Sequence, residues 1–275
     1  MSSAITYRRA TALDIPAAAS ILTLSFQLEC LQNAIDYSPS YLSAYWLDAG
    51  RLAATGLSFV AVDTSADDAV VGVVLLEVDD GPTTTSAEPT EDTVRDEGLE
   101  GAAEGGGLQG KLVFQECDPI ELLLRSVRSI FHSRLSSVQS SVPAPPAAAA
   151  AVVHRVTFLA VHPSFGRRGI AAGLLGAALS GGGGRNDDDN DGGRGHQADV
   201  LYAECSGSGS RAACVKCGFD FWGMVKYDEF RARYEVLREQ EGHERYPRVF
   251  NAILDEEGVA LMVWHRKKNV EEESR

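Results

Sequence analysis

The most chemically informative feature of the chain is a turn suited to phosphate. Val156-Thr-Phe-Leu-Ala-Val161 reads as the end of a strand and His162-Pro-Ser-Phe165 as a turn. Gly166-Arg167-Arg168-Gly169-Ile170-Ala171 then leads into a helix of small residues ending near Leu179. The first turn of a helix carries N–H groups with no intrahelical partner and the positive end of the dipole, so it attracts phosphate. Glycine at 166 and 169 lets the backbone approach a ligand closely, since a Cβ would hold it off. Arg167 and Arg168 add positive charge in an otherwise acidic chain. The turn is not a P-loop, because no Gly-Lys-Ser/Thr follows, and it lacks the full GxGxxG of a dinucleotide fold. A plain strand-to-helix connection with surface arginines would use the same residues.

A second reactive run is Glu204-Cys-Ser206-Gly-Ser-Gly-Ser210-Arg-Ala-Ala-Cys214-Val-Lys216-Cys217-Gly218-Phe219. Ser206 and Ser210 are four apart, so a helical turn would bring both hydroxyls to one side. The same Ser/Gly pattern also describes a flexible turn with a helix cap. Cys214 and Cys217 have redox or zinc spacing, but no second CxxC or HxxxH pair completes a tetrahedral set. Five cysteines, widely spaced, read as reduced thiols, and no metal is expected. Glu29 lies among apolar Leu28, Cys30 and Leu31, where desolvation would raise a carboxylate toward the range of a general base. An exposed carboxylate at a helix end is the alternative reading. His154 and His162 flank the strand as structural or surface residues.

These groups need a scaffold, and the ordered pieces alternate. Ile5 to Ala10 is a short strand, and Asp14 is expected to cap a helix with Pro16 in its first turn. Pro39 starts a second helix through Leu42, Tyr45 and Trp46. Ser58 to Asp63 and Ala69 to Val78 form a hairpin. Asp118-Pro119-Ile120-Glu121 carries capping-box chemistry and opens a helix with an apolar stripe running from Ile120 to Val138. Strands follow at His154 to Val161 and Ala198 to Cys205, the latter leading into a helix through Arg211 to Cys217. Two late strands lie around Phe221 to Tyr227 and Val259 to Trp264. The expected fold is α/β, a single domain over residues 4–268 with a mixed central sheet and flanking helices. Residues 80–110, 140–151 and 180–197 read as long flexible insertions, rich in acidic, Gly, Pro or Ala residues.

The chain has 275 residues and a net charge of -14. Residues 77–118 hold 12 acidic and 2 basic residues, while 181–197 and 271–275 each contribute a further -2. The remainder is close to neutral, so the acidity belongs to loops and a tail. No basic stripe is left to bind nucleic acid. No apolar run approaches the ~18–20 residues of a membrane span. The opening MSSAITYRRATALD has no apolar stretch after its charges, so a cytoplasmic protein is expected.

The turn resembles the acetyl-CoA signature of the GNAT N-acetyltransferases, Q/R-x-x-G-x-G/A after a bulged strand, here falling on Gly166 to Ala171. The first position departs, because Gly166 stands where Gln or Arg is usual. The run ending Lys216-Cys-Gly218-Phe219 resembles the K-x-G-F of that family's last helix, with Cys214 where many relatives carry a Tyr acid. Cys205-Ser206…Ser210…Gly218-Phe219…Tyr227-Asp-Glu-Phe230, the inserted helix at 119–138 and Phe26-Gln-Leu-Glu29 are similar to the insect-type arylalkylamine (dopamine) N-acetyltransferases. The resemblance covers most of the chain outside the three insertions.

The resemblance implies acetyl transfer from acetyl-CoA, as cosubstrate, to a small primary amine, arylalkylamine before polyamine. Attack would be direct, in a ternary complex. Glu29 would be the base, with Ser210 passing a proton to the thiolate and Ser206 linking the network. Cys214 is an alternative acid if it is not simply a small core residue. Backbone N–H groups around Leu159, Ala160 and Val161 would serve the oxyanion, and Gly166, Arg167, Arg168, Gly169, Ile170 and Ala171 would cradle the pyrophosphate. Phe26, Tyr41, Tyr45 and Trp46 could wall an aromatic pocket. Two alternatives stand beside this reading: a protein or peptide N-acetyltransferase, and a degenerate acyl-CoA-binding regulatory module.

Overall fold

The computed structural model describes residues 4–26, 46–47, 49–79, 119–140, 151–181, 198–241 and 257–266. Seven strands form one sheet. They are β1 (Ile5–Arg9), β2 (Phe59–Asp63), β3 (Ala69–Val78), β4 (Val153–Val161), β5 (Val200–Cys205), β6 (Asp220–Lys226) and β7 (Gly258–His265), in the spatial order β1-β2-β3-β4-β5-β7-β6. Neighbours are antiparallel except for β4 and β5, which run parallel. The helices are α1 (Ile15–Phe26), α2 (Pro119–Ser140), α3 (Ile170–Leu179), α4 (Ser208–Lys216) and α5 (Tyr227–Glu241). This is the mixed sheet with flanking helices that the sequence implies.

Alternation along the strands assigns the helices to faces. Val60 and Val62 of β2, with Val73 and Leu75 of β3, pack with Ala18, Ile21 and Leu22 of α1 and with Trp46. Tyr202 of β5 and Leu261 of β7 pack with Leu123, Val127 and Phe131 of α2 and with Phe230 and Tyr234 of α5. The opposite face receives Ile170, Leu174 and Leu175 of α3 and Ala213 and Cys214 of α4. Helix α3 lies close to the sheet at Gly72, where a Cβ would stand 3.1 Å from Leu174 Cδ1 and 3.2 Å from Ile170 Cγ2.

Two local readings change. Asp14 is not the cap of α1. It closes a short 3-10 turn, Ala12–Asp14, accepts from the Thr11 N–H at 2.8 Å and hydroxyl at 2.9 Å, and pairs with Arg8. That guanidinium holds the Asp14 carboxyl below its usual range. Glu121 pairs along α2 with Arg125 at 3.1 Å and with Arg128, while its expected partner Asp118 lies outside the described residues. The segment after β6 is a helix, α5, which sequence patterning left unassigned. Its polar composition hides the stripe of Tyr227, Phe230 and Tyr234, and Asp228 and Glu229 sit favourably in its first turn.

The feature that matters most for function is where β4 leaves its neighbours. In the β3–β4 ladder Leu75 faces Phe158 but Leu76 faces Val156, so Thr157 is an extra residue and β4 is bulged there. Its pairing with β5 covers only Val153–Val156 against Val200–Ala203. Beyond that point β4 continues to Val161 without β5, while Glu204 and Cys205 of β5 stay paired with Leu261 and Ala260 of β7. The sheet therefore opens at its centre, with Thr157 and Glu204 at the fork.

Gly258 starts β7 so close to β6 that a Cβ would meet the Val225 carbonyl oxygen and stand 2.8 Å from the Lys226 Cα. Gly258→Ala is expected to cost about 1–3 kcal/mol of unfolding free energy in urea titrations, because backbone must move to admit the methyl.

Candidate active site

The bulge changes which edge and which face each β4 residue presents. The His162 N–H donates to the Val71 carbonyl at 2.9 Å, and Ala160 faces Val73, so the polar groups of Ala160 turn to β3. By the alternation of an antiparallel ladder, the N–H groups of Leu159 and Val161 point to the other edge, into the open seam. The Val161 carbonyl, on that same edge, accepts from Ser25 Oγ at 3.0 Å, which ties the end of α1 to the seam. Of the three sequence-named residues, two direct amides into the opening, and Ala160 contributes its buried side chain instead.

At the end of β4 the turn is tightly made. Phe165 N–H donates to the His162 carbonyl at 2.8 Å and Gly166 N–H to the Pro163 carbonyl at 3.1 Å. His162, expected to be structural, accepts from the Ser164 N–H through Nδ1. Arg167 has φ +61° and Gly169, the residue before α3, has φ +79°. Two left-handed residues so close together bend the chain back, leaving the amides at the start of α3 at the helix mouth. The Arg168 guanidinium stacks over the Phe165 ring, 4.8 Å from its centroid.

One contributor was not named from the sequence. Lys216, at the end of α4, brings Nζ to 3.8 Å from where a Cβ on Gly169 would lie. Cys217 anchors this approach by donating Sγ–H to the Ala172 carbonyl at 3.3 Å. The side-chain cation that Gly166 does not supply is thus available from α4.

The serine run is arranged differently from the sequence reading. Helix α4 begins at Ser208 with Gly207 as its N-cap, so Ser206 lies before the helix and the spacing of four is not a helical turn. Ser210 Oγ donates to the Gly207 carbonyl at 2.8 Å, and the Ser206 carbonyl accepts from the Tyr227 hydroxyl at 3.3 Å. Cys214 is fully buried with Sγ 3.6 Å from Cys205 Sγ. That contact and burial push its thiol pKa up, which suits a core residue and not a proton donor. Glu29, Tyr41 and Tyr45 lie outside the described residues. Phe26 stacks on Trp46 at 4.8 Å, and both meet Phe158 of β4 edge-on at 5.9 and 5.6 Å.

Beneath α2 the fork holds a charged network, also missed from sequence. Arg155 pairs with Glu77 at 2.5 Å, and Thr157 Oγ1 donates to the same carboxylate at 2.8 Å. Glu204, with its side chain 6% exposed, stands 3.5 Å from Arg128 Nε, and its Oε1 has no hydrogen bond. Tyr202 donates to Asp79 at 2.7 Å. Burial pushes the Glu204 pKa up to about 7, against the pull of Arg155 and Arg128 and with help from Glu121 and Asp79. The available clue was an acidic residue inside Val200-Leu-Tyr-Ala-Glu204-Cys205, two residues beyond Tyr202 on a core-facing strand side. Among the described residues no cluster of His, Cys, Asp or Glu could hold a metal ion, and no helix is long and apolar enough to cross a membrane.

Solved structures share this architecture, and they define it as the GNAT fold. A Drosophila melanogaster polyamine N-acetyltransferase that forms N-acetylagmatine matches with a TM-score of 0.52 and 14% identity, over 96% of this chain and 100% of that one. A putative arylalkylamine N-acetyltransferase from the mosquito Aedes aegypti matches with a TM-score of 0.52 and 14% identity, over 95% of this chain and 87% of that one. The C-terminal condensation domain of Ebony, in complex with β-alanyl-dopamine, matches with a TM-score of 0.54 and 11% identity, over 96% and 100%. No protein-family model matches the chain, and no curated protein matches it by sequence.

The raised Glu204 pKa has a stability consequence. The folded protein holds this proton more tightly than the unfolded chain, so the group favours folding most below its ordinary value of 4.5 and that contribution is lost as pH rises to about 7. Relative to Glu204→Gln, the unaltered protein is expected to lose on the order of 3 kcal/mol of stability between those limits. Urea unfolding of both proteins at pH 5 and pH 8 reads the difference; parallel behaviour would remove Glu204 as the source.

Proposed function

We propose that the protein is an acetyl-CoA-dependent N-acetyltransferase acting on small primary amines, arylalkylamines before polyamines. The observation that carries this reading is the open seam. Amides of Leu159 and Val161 face into it, and β4 leads directly through a short turn to a glycine-bearing helix start flanked by Arg167, Arg168 and Lys216. The residues present fit the cosubstrate. Gly166, Gly169, Ile170 and Ala171 offer backbone to the pyrophosphate, and the uncovered edge of β4 can pair with the amide-bearing arm that leads to the thioester.

In this reading the Leu159 and Val161 amides stabilise the oxyanion as it forms, and being fixed in a strand they need little reorganisation. The amine must attack in its neutral form, although its ammonium has a pKa around ~10, so a carboxylate has to accept a proton. Glu29, shortly beyond the end of α1 in sequence, is proposed as the general base that takes the proton nitrogen loses as the C–N bond forms. Ser210 is proposed to return a proton to the departing thiolate, with Ser206 linking the network. Transfer is direct, within a ternary complex. Phe26 and Phe158, partly buried around Trp46 beside the open part of β4, support an aromatic amine over a purely aliphatic one. The acetyltransferase domain is proposed to span residues 4–268, with 80–110, 140–151 and 180–197 as insertions, in a cytoplasmic protein.

Tyramine, spermidine and short peptides, assayed by thiol release from acetyl-CoA, test the class. Tyramine is expected to be turned over best. A preference for peptides would favour a protein acetyltransferase, and CoA binding without turnover of any amine would favour a regulatory module. Glu29→Gln is expected to lower kcat by about a hundredfold with CoA affinity nearly intact. Lys216→Ala should raise the KM for acetyl-CoA about tenfold, as loss of one charge-assisted phosphate contact predicts, while Lys216→Arg should keep it within about threefold.

A further inference from the structure

We infer that Glu204 is a second proton-handling carboxylate of this site, the group at the fork that accepts the proton of the incoming ammonium. The inference rests on the acetyltransferase reading above. Its grounds are positional. Pairing of β4 with β5 ends at Val156–Ala203, so Glu204 is the first β5 residue beyond the last pair. Thr157, the bulge residue, is its counterpart across the opening. Arg155 and Thr157 both reach Glu77, which fixes their side of the sheet, and Glu204 shares the side of Tyr202, under α2. The acid is therefore set where the seam begins, in the same strand gap that the Leu159 and Val161 amides face further on.

An acid with only a structural task would be fully hydrogen-bonded, because a buried carboxylate lacking partners is costly. Glu204 Oε1 has no hydrogen bond, and its nearest cation, Arg128 Nε, stands off at 3.5 Å. The two neighbouring guanidiniums are shared: Arg155 has its close pair with Glu77 and Arg128 with Glu121, and Glu204 takes the longer contacts. The groups facing Glu204 are Arg155 from β4, Glu77 and Asp79 from the β3 side, Tyr202 from β5, and Arg128 and Glu121 from α2. Burial and the other acids favour its neutral form, and the two arginines favour the anion. The balance leaves it near neutrality, as a proton acceptor at physiological pH requires.

The step balances as follows. The ammonium gives one proton to the Glu204 carboxylate, and the freed lone pair attacks the thioester carbonyl carbon. The C–N bond forms, the C–S bond breaks, and the remaining surplus proton on nitrogen passes through Glu29 and Ser210 to the thiolate. Products are the acetamide, the free thiol of CoA and a protonated Glu204, which releases its proton to solvent.

The test is the pH dependence of kcat/KM for tyramine in the unaltered protein and in Glu204→Gln, Arg128→Met and Glu29→Gln. The unaltered protein should show an acid limb centred near pH 7. Glu204→Gln should lose that limb and about a hundredfold in kcat, with the KM for acetyl-CoA within about twofold. Arg128→Met should keep activity but move the limb to higher pH, since a cation that favours the carboxylate is gone. This variant decides the matter even if Glu204→Gln does not fold. Glu29→Gln should lower the plateau and keep the limb. A limb retained in Glu204→Gln, unmoved in Arg128→Met, or lost in Glu29→Gln overturns the inference while leaving acetyl transfer in place. An unaltered protein that acetylates no amine overturns both.

Discussion

The structure depends on one constraint: parallel strands β4 and β5 are hydrogen-bonded for four residues and then separate. A central strand with an unpaired edge is costly inside a fold, because each buried N–H and C=O without a partner loses the bond it would have with water. The extra residue at Thr157 makes the separation local, by bending β4 while β3 stays paired along it to Gly72. Among the described residues, the edge of β4 that carries the Leu159 and Val161 amides has no strand beside it. The proposed cosubstrate would complete the ladder along that edge.

Much of this scaffold was legible in the sequence because its signals are local. Ala69 to Val78 and Ile170 to Leu179 have the observed bounds, one set by a dense β-branched run and the other by glycine before and after a small-residue stretch. The glycine-bearing turn into α3 was legible for the same reason, since glycine spacing is read directly from neighbours. Position in the sheet was not. Nothing in Val156-Thr-Phe-Leu-Ala-Val161 marks Thr157 as the inserted residue, because a bulge is defined by the partner strand. Helix α5 escaped because its three buried aromatics are diluted by charge. Ser206 and Ser210 were placed on one turn because spacing alone cannot say where a helix begins.

The charged fork shows the same limit at the level of chemistry. Glu77, Arg155, Arg128 and Glu204 come from β3, β4, α2 and β5, and no short motif links them. Each looks ordinary alone. Together they form a network in which Arg155 and Arg128 each have a closer carboxylate than Glu204. Burial raises the Glu204 pKa, and the two arginines, shared among several carboxylates, offset it only in part. Replacing the cluster with apolar residues of similar volume would, on packing grounds, be neutral or stabilising. Its place where β4 and β5 separate is what the proposed chemical role rests on.

The departures at Gly166 and Cys214 bear on whether the site is complete. Gly166 stands where the resemblance expects a side-chain cation, but Lys216 reaches Gly169, three residues on, from α4, with Cys217 bonded to the Ala172 carbonyl beside it. The cation is relocated to a neighbouring helix, and because it sits one residue from that anchor it need not be ordered from solution when phosphate arrives. Cys214 removes a phenol, and in its place Cys205 and Cys214 pack sulfur to sulfur behind the serine turn. An apolar residue in place of Glu204 would remove its desolvation cost but would also take a negative charge away from the buried Arg155 and from Arg128. The proposed chemical use of Glu204 therefore rests on its position at the fork and on the open Oε1, and not on its being dispensable to the charge network.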